Sequence, residues 1–121
     1  MGGKASRRKG HNFEREIAKM FREFFPTAKR GFQTRGGTNE APDVDGTPWY
    51  IECKRRKGRC NPIAALRQAE KALGSLGNNG EPTSRTDFRP PMAICKTDHE
   101  EATATLRLKD FMKMVKRIYG K

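Results

Sequence analysis

The chain has 121 residues, and 26 Lys and Arg against 14 Asp and Glu give it a net charge of +12 at pH 7. That length supports one domain with a real core, and charge of that sign and size favours a polyanion, most simply nucleic acid. No long apolar run suits a membrane-spanning helix, and there is no signal-peptide core or basic amphipathic helix with bulky anchors, so a cytoplasmic protein with no membrane partner is expected.

Cys53, Cys60 and Cys95 are odd in number and lack the paired spacings of a zinc site. His11 and His99 fall at no ligand-like interval, so the cysteines read as reduced thiols.

Met1 to Lys9 carries Lys4, Arg7, Arg8 and Lys9 with no acid, and reads as a flexible basic arm ahead of a domain over 10–121. His11 to Phe25 reads as a helix, with Phe13, Ile17, Met20, Phe21 and Phe24 at helical spacing. Asn12 can cap its start and Pro26 ends it. At about 100° per residue, Glu14 projects onto the apolar side while Arg15, Lys19 and Arg22 point away. A carboxylate there is costly unless it is paired or bound to metal.

Ala28 to Phe32 suggests a first strand, and Thr34 to Pro42, which includes Arg35, is a Gly-rich polar loop leading to Asp43. From Asp43 the chain reads Asp-Val-Asp-Gly-Thr-Pro-Trp-Tyr-Ile-Glu-Cys-Lys, an acid, a tight turn and a short apolar strand. Side chains alternate along a strand, so Tyr50, Glu52 and Lys54 share one face and Trp49, Ile51 and Cys53 the other. A turn at Gly46-Thr47-Pro48 brings Asp43 back beside Glu52. Two carboxylates and a lysine then converge, a set able to hold Mg²⁺ and aim a water at a phosphate. Asp45 shares the parity of Asp43 and is its rival for that role. Asp43 is preferred because it follows Pro42.

Arg55-Arg56-Lys57-Gly58-Arg59 follows at once, a basic run positioned to grip phosphates. Pro62 to Leu76 reads as a second helix that buries Ile63, Leu66, Ala69 and Leu73. Met92 to Lys96 reads as a buried strand and Thr103 to Leu108 as a last one. Phe111, Met114, Val115 and Ile118 mark a final helix whose apolar arc also takes in Met112 and Tyr119. That width suits core packing or a dimer contact, with core the default.

Pro42-Asp43 followed by Glu52-Cys53-Lys54 resembles the signature of the PD-(D/E)xK nuclease superfamily. Arg8-Lys9-Gly10-His11-Asn12-Phe13-Glu14-Arg15-Glu16 resembles the opening of archaeal-type Holliday junction resolvases and their small phage-encoded relatives. Gln68-Ala69 on a helix, a Pro-led strand ending in Lys96, and Leu106 to Phe111 leading into the last helix extend the likeness over roughly residues 8–119.

The resemblance implies an α/β, restriction-endonuclease-like core, a central mixed β-sheet flanked by helices. It implies that Asp43 and Glu52 bind a divalent metal, Mg²⁺ with Mn²⁺ able to substitute, together with the backbone carbonyl of Cys53. Lys54 then positions or activates water, and Glu14 completes the site. Arg30 matches a phosphate-contacting arginine. Gln68 matches a helix glutamine, although it projects opposite the Ile63/Leu66/Leu73 face. Arg8, Lys9, Arg15, Arg35, Arg55, Arg56, Lys57 and Lys96 complete the DNA-binding set. The expected activity is paired nicking of four-way or other branched DNA by a homodimer in a bacterial or phage-infected cell. Two alternatives stay open. One is a nicking or repair nuclease acting on duplex, flap or single-stranded DNA. The other is a non-catalytic basic nucleic-acid-binding protein.

Overall fold

The computed structural model describes residues 3–31, 41–74 and 87–120. Five strands form one mixed sheet: β1 (Lys29–Arg30), β2 (Val44–Asp45), β3 (Tyr50–Arg56), β4 (Pro91–Thr97) and β5 (Thr103–Thr105). They lie side by side in chain order. Only β3 and β4 are parallel, and the helix α2 (Pro62–Leu73) makes the crossover between them. The other helices are α1 (Gly3–Phe21) and α3 (Leu108–Tyr119). The result is an α/β architecture, a mixed sheet with helices flanking it.

The two faces of the sheet have different partners. Phe13, Ile17 and Ala18 of α1 pack on Val44, Ile51, Cys53, Met92 and Ile94. On the opposite face Ala65 and Leu66 of α2 meet Ala93 and Cys95, while Ala69 and Leu73 cover Tyr50. The alternation read along β3 therefore holds, with Ile51 and Cys53 toward α1 and Tyr50 toward α2. By the same parity Glu52 and Lys54 stand on the α2 face.

Helix α1 begins earlier than its sequence suggests. Gly3 to Lys9, read as an arm, forms its first turns, and Asn12 is an interior residue whose side chain accepts from Arg15 rather than a cap. Cations at a helix N-terminus oppose the helix dipole. Here Lys9 is neutralised by Asp98, 2.6 Å away beyond the end of β4. The helix also stops at Phe21, before Pro26, and continues as turns through Phe25. Met20 and Phe24, expected in the core, are exposed, and Phe21 and Phe25 pack on Trp49 instead.

Asn61 caps α2 by accepting from the amide of Ala64, and Pro62 supplies its first turn. The helix ends at Leu73 on Gly74, whose φ is +83°. Ala65, not Ile63, lies in its buried stripe, and Ile63 is 40 % exposed. Leu66, Ala69 and Leu73 are buried as expected.

The largest departure is α3. Phe111, Met112, Ile118 and Tyr119 are exposed and Met114 and Val115 only half-buried, so the apolar arc expected to pack in the core does not. No Cα of α3 comes within 8 Å of another described helix or strand. Arg107, just before it, is tied to Glu70 of α2 through two 2.9 Å hydrogen bonds. No described helix is long and apolar enough to cross a membrane.

Candidate active site

The β2–β3 hairpin turns at Gly46, whose φ is +79°. A Cβ there would lie 2.1 Å from the carbonyl oxygen of Thr27, so only glycine fits against the segment that leaves α1. The hydroxyl of Thr27 donates to the carbonyl of Gly46 and locks this contact. Val44 pairs with Ile51, and continuing that antiparallel register by one residue sets Asp43 opposite Glu52. The amide of Asp43 donates to the carbonyl of Ile51 at 2.8 Å. In return the Asp43 carboxylate accepts from the amide of Cys53, also at 2.8 Å.

The Asp43 and Glu52 carboxyls face each other closely enough for each to shift the other's ionisation. Glu52 is 7 % exposed. Burial first, and then the neighbouring Asp43 charge, push the Glu52 carboxyl up to about 7. Burial also raises Asp43. The Cys53 amide opposes that rise, the Glu14 charge adds to it, and the ammonium of Lys54 opposes it. Lys54 Nζ lies 3.5 Å from Glu52. The turn, the strand parity and the register thus bring Asp43, Glu52 and Lys54 together as the sequence suggests.

Asp45 does not join them. Its carboxylate accepts from Arg89 at 2.8 Å and from the Gly46 amide, and Arg89 lies over the Tyr50 ring. The choice between two acids of equal parity is thus made by an arginine 44 positions away.

Glu14 is paired, as a carboxylate on an apolar face must be. It takes a 2.8 Å hydrogen bond from Arg30, the residue matched to a phosphate contact. Both belong to the α1 layer, since Arg30 pairs with Val44 in the sheet. Glu14 reaches Asp43 through its field, without a hydrogen bond or ion pair to Asp43, Glu52 or Lys54. Among the described residues no three His, Cys, Asp or Glu side chains are gathered into a metal-holding group. A cation at Asp43 and Glu52 therefore needs main-chain and water oxygens to complete its shell. Two carboxylates with the carbonyl of Cys53 are the hard oxygen donors Mg²⁺ accepts while keeping several waters.

The expected phosphate-binding residues divide into three groups. Lys9 and Arg55 both bind Asp98, at 2.6 and 3.1 Å, and so join the start of α1 to the ends of β3 and β4. Lys96 donates to the carbonyl of Glu100. Arg8, Arg15, Arg56, Lys57 and Gln68 are exposed, and Gln68 is on the outer side of α2, as its projection indicates. Arg35 lies outside the described residues. Sequence reasoning missed Asp98 as a hub. An acid directly after a strand that ends in Lys96 was the available signal.

All three thiols are free. Burial suppresses ionisation of Cys53, and nearby Asp43, Glu14 and Glu52 add to the effect. Protein-family models give no match to this chain, and neither curated proteins nor solved structures give a significant one.

Proposed function

We propose that this protein is a metal-dependent endonuclease with a restriction-endonuclease-like PD-(D/E)xK core, and that it nicks branched DNA, four-way junctions above all, as a homodimer. The observation that carries this reading is the meeting of Asp43, Glu52 and Lys54 on one sheet face, with Glu52 held near 7. A carboxyl pair that retains a proton does so because two like charges are costly at close range, and a divalent cation relieves the same repulsion.

Mg²⁺, or Mn²⁺ in its place, would be held by Asp43, Glu52 and the Cys53 carbonyl. When bound it lowers the pKa of a water and withdraws charge from a phosphate oxygen. The residues of the chain do the rest. Cys53 N–H fixes the rotation of Asp43. Lys54 orients the attacking water and balances charge that develops on the phosphate, for which a compact ammonium is better suited than a guanidinium. Exposed Arg56 and Lys57, at and just after the end of β3, hold flanking phosphates. Two symmetric nicks require two such sites about a two-fold axis, which is the reason for the homodimer.

The test is Mg²⁺-dependent cleavage of an end-labelled four-way junction beside a duplex of the same sequence. Paired symmetric nicks in the junction alone support the full reading. Cutting of both substrates keeps the nuclease and changes its role. No cutting with Mg²⁺ or Mn²⁺ sinks the enzyme and leaves a nucleic-acid-binding protein.

A further inference from the structure

Asp98 gathers two cations that neither the carboxylate site nor the core uses. Lys9 Nζ lies 2.6 Å from its Oδ2, and Arg55 Nε lies 3.1 Å from its Oδ1. Lys9 comes from the second turn of α1, and Arg55 from β3, directly after Lys54. Strand parity explains the meeting. Arg55 shares the parity of Ile51 and Cys53, so it leaves the sheet on the α1 face. Each cation thus takes one oxygen of a single anion. A phosphodiester presents the same pattern, two acceptor oxygens on one charged centre, and Lys and Arg are its ordinary donors.

The turn that presents Asp98 is unusual. β4 ends at Thr97, the amide of Asp98 donates to the carbonyl of Arg56, and the amide of Glu100 donates to the carbonyl of Thr97. Between them His99 takes a φ of +70°, the single positive value at a non-glycine among the described residues. Side chains are uncommon in that conformation, and backbones held there gather at binding sites and switches. The turn fixes Asp98 beside the end of β3, where its carboxylate meets both cations.

The cluster adds little stability. The Lys9 side chain is 35 % exposed and that of Arg55 28 %, and ion pairs with such access to water are weak. Its effect is on charge. The first turn of α1 has no acid, and Lys4 and Arg8 are like charges four residues apart, so the dipole and the neighbouring cations both oppose order there. Asp98 offsets this while no polyanion is bound. A phosphate brought to the same two cations would offset it equally, and the carboxylate would turn into solvent.

We propose that Lys9 and Arg55 form a subsite for a backbone phosphate of nucleic acid, which Asp98 occupies in the free protein and gives up when the strand binds. The proposal rests on nucleic acid being the partner, as in the proposed function. It does not rest on cleavage, since none of the three residues belongs to the carboxylate site.

Exchange of one anion for another has a signature that a simple structural staple lacks. Lys9 is bound to Asp98 in the free protein and to phosphate in the complex. Truncating it removes both contacts, and the affinity changes little. Without Asp98 only the phosphate contact is lost, and the affinity falls. The experiment measures anisotropy of a labelled four-way junction in EDTA with the full chain and its variants. Asp98→Ala and Asp98→Asn should each tighten binding about threefold or more and steepen the salt slope by about 0.9. Glu101→Gln removes the same charge at an exposed position with no ion pair to a described residue, and should tighten binding less than about twofold. Lys9→Ala should weaken binding less than about twofold in the parent and about fivefold or more beside Asp98→Ala. An unaltered circular dichroism spectrum verifies folding, and Asp98→Asn keeps the size of the side chain.

An equal cost of Lys9→Ala in the two backgrounds would overturn the proposal, as would equal gains from Asp98→Asn and Glu101→Gln. Saturable binding of inorganic phosphate to Asp98→Ala, with that equal cost on DNA, would assign the two cations to a free phosphate ion instead. No binding of the junction by any variant would overturn the subsite and the nuclease together. Coupling of Lys9 to Asp98 without Mg²⁺-dependent cleavage would count against the nuclease alone, and cleavage without coupling against the subsite alone.

Discussion

Charge is handled in opposite ways in two parts of this molecule. Around Asp43, Glu52 and Lys54 the ionisable groups are buried and partnered. Burial and the neighbouring Asp43 charge raise Glu52, and Lys54 sits 3.5 Å from it on the same strand. Along α3 Lys109, Lys113 and Arg117 are exposed and form no ion pair with a described residue. In the first region packing against both helix layers fixes the geometry before any ligand arrives. In the second the charges stay in solvent. Preorganised charge suits chemistry, which needs fixed geometry. Loosely held charge suits binding, whose energy comes from counterion release.

The comparison breaks first at Lys54. Removing its ammonium should lower cleavage by about 10²–10³ while leaving the affinity for DNA nearly unchanged. Single-turnover kinetics beside a binding isotherm measure both, and wild-type cleavage by Lys54→Ala would mean that the strand face has been misread. Stability draws the contrast next. Ile51→Ala, in the fully buried centre of β3, should cost about 2–5 kcal/mol in urea unfolding.

A pH series sharpens the account of the carboxyl pair. In the unfolded chain Glu52 titrates near 4.5, whereas in the folded protein it keeps its proton until about pH 7. Between those values the folded state binds more protons than the unfolded one, so stability falls as pH rises, by at most about 3 kcal/mol. Glu52→Gln should flatten that slope and raise stability at about pH 8 relative to the parent. Added Mg²⁺ should stabilise the parent in the same range and leave the variant less affected. An unchanged slope in the variant would mean that Glu52 is already ionised at about pH 5.

Arg30→Ala strips Glu14 of its partner in a half-buried position and should cost about 1 kcal/mol, reduced by the solvent access of the pair. The smallest effect belongs to α3. Leu108→Ala, at a side chain 71 % exposed, should change stability by less than about 0.5 kcal/mol. A loss as large as that of Ile51→Ala would show that the outer arc of α3 is buried in solution.

The carboxylate site was legible because its logic is local. Strand parity placed Glu52 with Lys54, a turn at Gly46 returned Asp43, and the need of Glu14 for a partner followed from its place on an apolar stripe. What escaped depended on distant residues. Nothing near Asp45 announces Arg89, and nothing in Gly3 to Lys9 announces that Asp98, 89 positions from Lys9, will hold those turns in a helix. Periodicity identified the apolar arc of α3 correctly but is silent on which way a helix faces. There only Met114 and Val115 are half-buried, and the rest of the arc is exposed. In α2 the same periodicity placed Leu66, Ala69 and Leu73 correctly and missed only at Ile63, in the first turn.

The three cysteines lie at graded depths: Cys60 is half-exposed, and Cys53 and Cys95 are enclosed on opposite faces of the sheet. A thiol reagent can reach each only as quickly as its surroundings open. Cys60 should react first, Cys95 once α2 lifts, and Cys53 only when the α1 layer parts from the sheet. The chain thus carries its own clock for the order in which its layers separate, readable by mass without any added probe.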